Sequence, residues 1–324
     1  MPILNEERHL AESVEAILAQ DWDGPLEVVL ALGPSTDRTD EVAAQLASKD
    51  ARVRTVTNPS GRTPEALNAA IGVAAHGVIA RVDGHGILSP GYLRAAVAKL
   101  AETGAANVGG IMDAEGTTDF ERAVACAMKS KIGVGGVKFK QGGAAGPAET
   151  VYLGVFRRDW LRRVGGYDRR YIRAQDWELN FRIREQGGVV WFTPDLRVAY
   201  RPRGSFRALS RQYRQYGQWR RVVAREHKGS INARYLAPPA ALTAITVGAV
   251  GGFAWRPLWG IPALYAAGVA IGGLTISRTE SARTQALTPG VLATMHLSWG
   301  WGFLTSRVRL EDDVQQFSSE APVT

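Results

Sequence analysis

The sequence predicts an α/β domain built on a mostly parallel sheet with flanking helices, followed by helices of membrane character. Three observations predict it. Short apolar runs alternate with helical patterns over residues 1 to about 200, basic residues crowd into 201–230, and two long uncharged runs follow directly. Residues 27–32 (EVVLAL) read as a buried strand, 40–47 as a helix, 53–56 as a strand, 64–75 as a helix and 78–82 (VIARV) as a strand. Strands separated by helices imply βαβ crossovers, and ligands in such sheets bind at the carboxyl ends of the strands. The residues just after each strand are therefore the ones to search for chemistry.

At 324 residues the chain can bury a large core, so neither a miniprotein nor a disordered tail is plausible. The single cysteine, Cys126, excludes a disulfide framework and a cysteine-based zinc site. From Arg201 to Ser230 there are nine basic residues against one acid, a net of +8 that equals the net charge of the whole chain. A basic excess spread evenly would suit nucleic acid. One concentrated just before an apolar tract suits anionic lipid headgroups, at about 1 kcal/mol per basic residue, so lipid is the predicted partner and nucleic acid is not.

Residues 236–255 carry no charge, and after Arg256 neither do 257–277. At 1.5 Å per residue, about 20 residues cross a hydrocarbon layer of roughly 30 Å, so the two runs predict a membrane hairpin. Trp255 and Trp259 flank its tip, where amphipathic rings favour the interface. A soluble, buried helical hairpin is the other reading of these Gly- and Ala-rich runs. Arg220, Arg234, Arg278 and Arg283 flank the hairpin and only Arg256 marks its tip, so the positive-inside rule puts both ends in the cytoplasm. The apolar stretch 287–304 is expected to be interfacial or re-entrant, because full crossing would export Arg307 and Arg309. The expected organisation is a catalytic domain at 1–200, a basic amphipathic segment at 201–234, a membrane region at 235–310 and a tail at 311–324. The expected location is the inner membrane, multi-pass, with the catalytic domain cytoplasmic. No cleavable signal peptide is visible.

Asp83-Gly84-His85 follows the strand at 78–82. A carboxylate and a second metal-capable side chain two residues apart can face one cation, although a solvated turn has the same composition. Its neighbours sharpen the reading. PILNEE at 2–7, STDRT at 35–39, NPSGRTPEALN at 58–68, RVDGH at 81–85, YLGVFRR at 152–158, GGYD at 165–168 and QDWEL at 175–179 occur in one order. This series resembles the family-2 nucleotide-sugar glycosyltransferases, and most closely the membrane-bound enzymes of succinoglycan-type exopolysaccharide assembly, in which Asp-x-His stands where relatives have Asp-x-Asp.

The resemblance implies a GT-A (Rossmann-like) fold and inverting sugar transfer from a nucleotide-sugar donor to a lipid-linked or polysaccharide acceptor, assisted by Mg²⁺ or Mn²⁺. By the same resemblance Asp83 and His85 are the metal pair. Asn5, Glu7, Asp37, Arg62, Asn68 and Asp83 form the donor side, and Asp176 is the base that deprotonates the acceptor hydroxyl. Gln175, Trp177, Trp219 and Arg220 become candidates for the acceptor or the diphosphate. Four of these readings have a blander alternative: a helix cap for Asp176, a solvated loop arginine for Arg62, helix packing for Asn68, and an amphipathic helix on lipid for the QYRQYGQWRR stretch at 212–221. Arg182, four residues after Glu178, is expected to be its ion-pair partner.

Two departures from the family pattern stand out. Leu32-Gly33-Pro34 lacks the carboxylate with which relatives read the base, so the nucleotide stays open. Only Met1–Leu4 remain for a central strand, from which Met1 is expected to be an internal methionine of a longer protein. The glycine-rich segment 133–146 is expected to be a mobile lid, an acceptor channel or a plain linker. Within enzymes the competing activity is a polyprenyl-phosphate sugar synthase; outside them it is a non-catalytic membrane scaffold.

Overall fold

The computed structural model describes residues 1–310; the expected tail at 311–324 lies outside the described residues. In chain order the elements begin β1 (Pro2–Ile3), α1 (Leu10–Leu18), β2 (Val28–Leu32), α2 (Thr39–Lys49), β3 (Val53–Thr57), α3 (Thr63–Val73), β4 (Val78–Ala80), β5 (Ile87–Leu88), α4 (Tyr92–Thr103) and β6 (Asn107–Ala114). They continue with α5 (Asp119–Met128), the four-residue α6 (Lys131–Val134) and α7 (Lys138–Gln141), then β7 (Gly146–Pro147), β8 (Tyr152–Arg157), α8 (Arg158–Arg163), α9 (Gln175–Glu185) and β9 (Val190–Tyr200). Four longer elements close the described chain: α10 (Phe206–Glu226), α11 (Ala233–Gly251), α12 (Gly260–Ile276) and α13 (Ala282–Thr305), with a 3₁₀ turn at Arg256–Trp259. The chain divides into two compact units, one of residues 1–113 and 142–200, the other of 114–141 and 201–310.

The first unit holds two sheets. β1, β2 and β3 pair in parallel in that order, with Pro2 opposite Ala31 and Val28 opposite Val53. Residues 28–31 of β2 are all buried, as expected of a parallel strand covered on both faces. The second sheet runs β4-β8-β6-β9-β5 with β7 beside β9. Here the mostly parallel prediction is corrected, because β4–β8, β6–β8, β5–β9 and β7–β9 are all antiparallel and the unit is mixed. An apolar run reveals that a strand is buried, not its direction. Direction is set by the connections, and the regular β-α alternation stops at residue 82.

Helical spacing explains how the layers close. Leu10, Val14 and Ile17 of α1 and Leu93, Ala96 and Leu100 of α4 recur at three- and four-residue intervals and join Val28, Leu30, Val108, Val155 and Leu196 in one apolar core. An apolar cavity of about 380 Å³ lies beside the two-residue β1, lined by Met1, Val28, Val29, Ile79, Ala80 and Val155 among others. Gly110 of β6 lies so close to β9 that a Cβ there would overlap the Leu196 carbonyl oxygen, a backbone atom that cannot swing aside. Gly110→Ala is therefore expected to destabilise the fold by about 1–3 kcal/mol, read as a lower denaturant midpoint.

In the second unit α10, α11, α12 and α13 pack through small residues. A Cβ at Gly217 of α10 would overlap the Trp299 carbonyl, one at Gly302 of α13 the Arg214 carbonyl, and one at Gly273 of α12 would sit 2.8 Å from Pro289. Such close approach of backbones is how helices associate where apolar burial alone gives little drive. Where a hairpin of two spans was expected, the chain forms α11, the 3₁₀ turn and α12. Among the described residues one helix, Arg256–Ile276, is long and apolar enough to cross a membrane. Phe253, Trp255, Trp259, Leu264 and Ile271 of this hairpin are exposed. The 287–304 stretch lies within the continuous α13, without the chain reversal a re-entrant segment requires.

Candidate functional site

The site sits in the first unit, where the chain leaves β4. Arg81 directly follows that strand, its amide donating to the Gly154 carbonyl at 3.1 Å, and its side chain is only 6% exposed. Burying a guanidinium is costly unless carboxylates surround it. Two do: Nε and Nη2 donate to Oδ1 of Asp83 at 3.1 and 3.0 Å, and Nη1 donates to Oδ1 of Asp176. Arg81 thus joins two acids 93 residues apart, which retain 23% and 35% exposure. Removal from water works against the Arg81 charge, but Asp176 and Asp83 outweigh it and hold its pKa well above the ordinary value. Asp176 is shifted upward, first by desolvation, with Arg81 opposing and the Asp83 charge adding to the rise.

Asp176 is not the cap of its helix. The N-cap position of α9 is Ala174, held at φ 59° with no side-chain cap bond, and Asp176 turns to Arg81 instead. Two residues on, Glu178 is buried and binds Arg182 at 2.6 and 2.7 Å, while Arg182 also donates to the Gly166 carbonyl at 2.8 Å. That pair is scaffolding, at the i,i+4 spacing the sequence indicated. Gln175 opens α9, and Trp177 stacks on Phe181 with centroids 5.3 Å apart.

After Val82 the chain turns, with Gly86 N–H donating to the Asp83 carbonyl at 2.8 Å and the buried Ser13 hydroxyl of α1 donating to Gly86 O at 2.7 Å. Within this turn His85 Nδ1 lies 2.7 Å from Oε1 of Glu6. Asp83 and His85 therefore each have a partner that fixes them.

The other predicted donor-side residues form an adjoining set of loop ties. Asn5 Oδ1 accepts from Thr36 N–H at 2.8 Å, Glu7 Oε2 from Arg38 N–H at 3.0 Å, and Asp37 from Glu7 N–H at 3.3 Å and Thr39 N–H at 3.1 Å. Asp37 is held below the ordinary carboxylate value, the Thr39 and Glu7 hydrogen bonds overcoming desolvation. These three lace the loop after β1 to the loop after β2. Arg62 stands at the N-cap of α3. Asn68 is committed to structure: it donates to the Tyr167 carbonyl at 2.7 Å and accepts from Tyr167 N–H at 2.8 Å.

Trp219 and Arg220 belong to the second unit and are both buried. Arg220 lies 3.7 Å over the Tyr235 ring and donates to the Ser230 carbonyl. This corrects the expectation that Trp219 stacks under a sugar and Arg220 meets diphosphate, because cores of helix packing hold both side chains. Sequence reasoning missed Arg81, Glu6 and Tyr167 as site residues. Tyr167 lies near enough to Arg81 and Asp176 that burial and the Asp176 charge raise its pKa, with Arg81 opposing. A charge ending an otherwise apolar strand was the available signal for Arg81.

Among the described residues no group of three or more His, Cys, Asp or Glu could hold a metal ion. Asp83 and His85 supply two donors. Two donors fit a hard divalent ion that completes its shell with phosphate oxygens and water, as Mg²⁺ does in nucleotide sites.

The mixed sheet with its flanking helices is a GT-A glycosyltransferase fold. The model for glycosyl transferase family 2 matches residues 1–165, and the chain is 30% identical over 307 residues to the succinoglycan biosynthesis protein ExoA of Rhizobium meliloti, covering 94% of this chain and 92% of that protein. The chain belongs to glycosyl transferase family 2. It is also 24% identical over 247 residues, 74% of this chain and 76% of the relative, to a Methanococcus voltae dolichyl N-acetyl-α-D-glucosaminyl phosphate 3-β-D-2,3-diacetamido-2,3-dideoxy-β-D-glucuronosyltransferase. Among solved structures, the Pyrobaculum calidifontis mannosyltransferase PcManGT in complex with GDP-Man and Mn²⁺ superimposes with a TM-score of 0.63 at 21% identity, over 93% of this chain and 85% of that one. S. aureus TarS with UDP-GlcNAc gives 0.52 at 14% identity, over 94% and 89%. At these identities the likeness is one of fold.

Proposed function

We propose that this glycosyltransferase moves a sugar, with inversion, from a nucleotide-sugar donor to a hydroxyl of a lipid-linked or polysaccharide acceptor at the cytoplasmic face of the inner membrane. The observation that carries this reading is the Arg81 bridge, which brings the acid of the turn after β4 and the acid opening α9 to one buried cation. Donor binding is supported by fold neighbours solved with GDP-Man and UDP-GlcNAc.

In this reading the acceptor oxygen attacks the anomeric carbon as the bond to the nucleoside diphosphate breaks, and Asp176 takes the hydroxyl proton. A carboxylate shifted upward by desolvation is a stronger base than an ordinary one, which suits proton removal during attack. Arg81 fixes Asp176 Oδ1 and, with Asp83, keeps the charge of the site balanced. Asp83 and His85 would hold a divalent cation, Mg²⁺ or Mn²⁺, which supplies neutralisation of the negative charge on the departing diphosphate. Asn5, Glu7 and Asp37 shape the loops that would receive the nucleotide, with Arg62 at a helix N-terminus suited to phosphate. Gln175 and Trp177, at the start of α9, are candidates for acceptor contact.

The second unit is read as the membrane anchor: α12 spans, α11 pairs with it, the exposed tip residues sit at the far interface, and the exposed Arg207 and Arg214 of α10 face anionic headgroups. An acceptor carried on a polyprenyl chain cannot leave the bilayer, so an enzyme acting on it must work at that surface. The test is a thermal-shift screen of nucleoside diphosphates with Mn²⁺, followed by sugar transfer in membranes. A matched diphosphate at 100 times its Kd is expected to add about 2.7 kcal/mol of stability. Stabilisation by none of them, with or without Mn²⁺, would refute the donor assignment.

A further inference from the structure

We propose that Glu6 is the positioning residue for His85, fixing its imidazole with the proton on Nδ1 so that Nε2 presents a lone pair to a divalent cation; this rests on reading His85 as a cation ligand. The Glu6 side chain is 15% exposed and the His85 side chain 53%, so the better-buried carboxylate holds the more exposed ring. A carboxylate can only accept, so at 2.7 Å Nδ1–H donates to Glu6 Oε1, and in the neutral ring Nε2 then carries the lone pair. A carboxylate behind a ligating histidine orients the ring and raises its basicity.

Gly84 supplies an independent sign that this contact is built. A Cβ at that position would lie 2.7 Å from Cγ and 3.0 Å from Cδ of Glu6, and 3.2 Å from Cδ1 of Ile3. The Glu6 stem passes over residue 84, and glycine is what admits it. The Glu6 backbone is itself anchored: its amide donates to Thr39 Oγ1 at 2.7 Å, and its carbonyl accepts from Leu10 N–H at 2.9 Å at the start of α1. The contact sets the Glu6 carboxylate directly behind the ring. Arg81 does the corresponding work for Asp83, so each candidate donor has its own holder.

The test uses the full chain in detergent, with Mn²⁺ alone as the probe, its binding followed by electron paramagnetic resonance, and the imidazole nitrogens of ¹⁵N-histidine-labelled protein followed by NMR. Glu6→Ala is expected to weaken Mn²⁺ binding by about 10–100-fold and to shift the His85 ring from the Nδ1–H form to a mixture of tautomers. Wild-type Mn²⁺ affinity in Glu6→Ala, with binding lost in His85→Ala, would overturn the role of Glu6 and leave His85 as a ligand. Wild-type affinity in His85→Ala would overturn both. Should the alanine variant fail to fold, Glu6→Gln decides: it keeps the shape and an accepting oxygen but loses the charge, so a several-fold weaker affinity supports the proposal and an unchanged one overturns it.

Discussion

Asp176→Asn is expected to lower kcat by about 10²–10⁴-fold while Mn²⁺ binding and the thermal shift given by a nucleoside diphosphate persist. Asparagine keeps the volume and an oxygen facing Arg81 but cannot take a proton. The loss should therefore appear in turnover rather than in donor KM, the pattern of an interaction needed only as the proton leaves. In the native enzyme the acid limb of the rate profile is expected above the ordinary aspartate value near 3.9, because desolvation raises the Asp176 pKa and the base works only when ionised. Activity then falls as pH drops through that raised value and recovers above it. Turnover near wild type in Asp176→Asn would instead point to a polyprenyl-phosphate acceptor, which needs no base.

Arg81→Met is expected to do two things at once. It leaves Asp83 and Asp176 facing each other without their common cation, and removing one partner of a buried ion pair costs about 3–5 kcal/mol. The two acids keep 23% and 35% exposure, so solvent screens part of the repulsion and a loss of about 2–3 kcal/mol is expected from urea unfolding. Combining Arg81→Met with Asp176→Asn should restore part of that stability, since one of the two stranded charges is gone, without restoring transfer. Full additivity of the two stability losses would show that the bridge is not a unit. Arg81→Lys keeps the charge but not the fork that reaches both acids, so it should fall between wild type and Met in stability.

How far the sequence carried can be judged residue by residue. Strands β2, β3 and β4 and the intervening helices α2 and α3 were legible because their apolar residues recur at the right period and Asn, Gly and Pro mark the turns. The antiparallel sheet was not legible, since nothing local in YLGVFR or VWFTPDLRVAY encodes the partner's direction. Motif order singled out Asp83, His85 and Asp176 as candidates, and in the structure Arg81 pairs with two of them, Asp83 and Asp176. Arg81 itself was hidden because its role depends on Asp176, 95 residues away. Glu6 was hidden for the same reason, lying 79 residues from His85. Trp219 misled because an aromatic between arginines looks the same in a sugar platform and in a helix core; only burial separates the two.

Ala174 has one more consequence. It holds a left-handed backbone that a residue with a Cβ adopts only at about 1–2 kcal/mol, immediately before the helix turn that carries Asp176. Glycine would relieve that strain, less the roughly 0.5–1 kcal/mol its extra freedom in the unfolded chain costs. Selection for heat tolerance alone would thus be drawn toward a looser pivot under Asp176, the proposed base. Hardier variants arising there would gain lifetime and give up rate, an antagonism located at a single peptide unit.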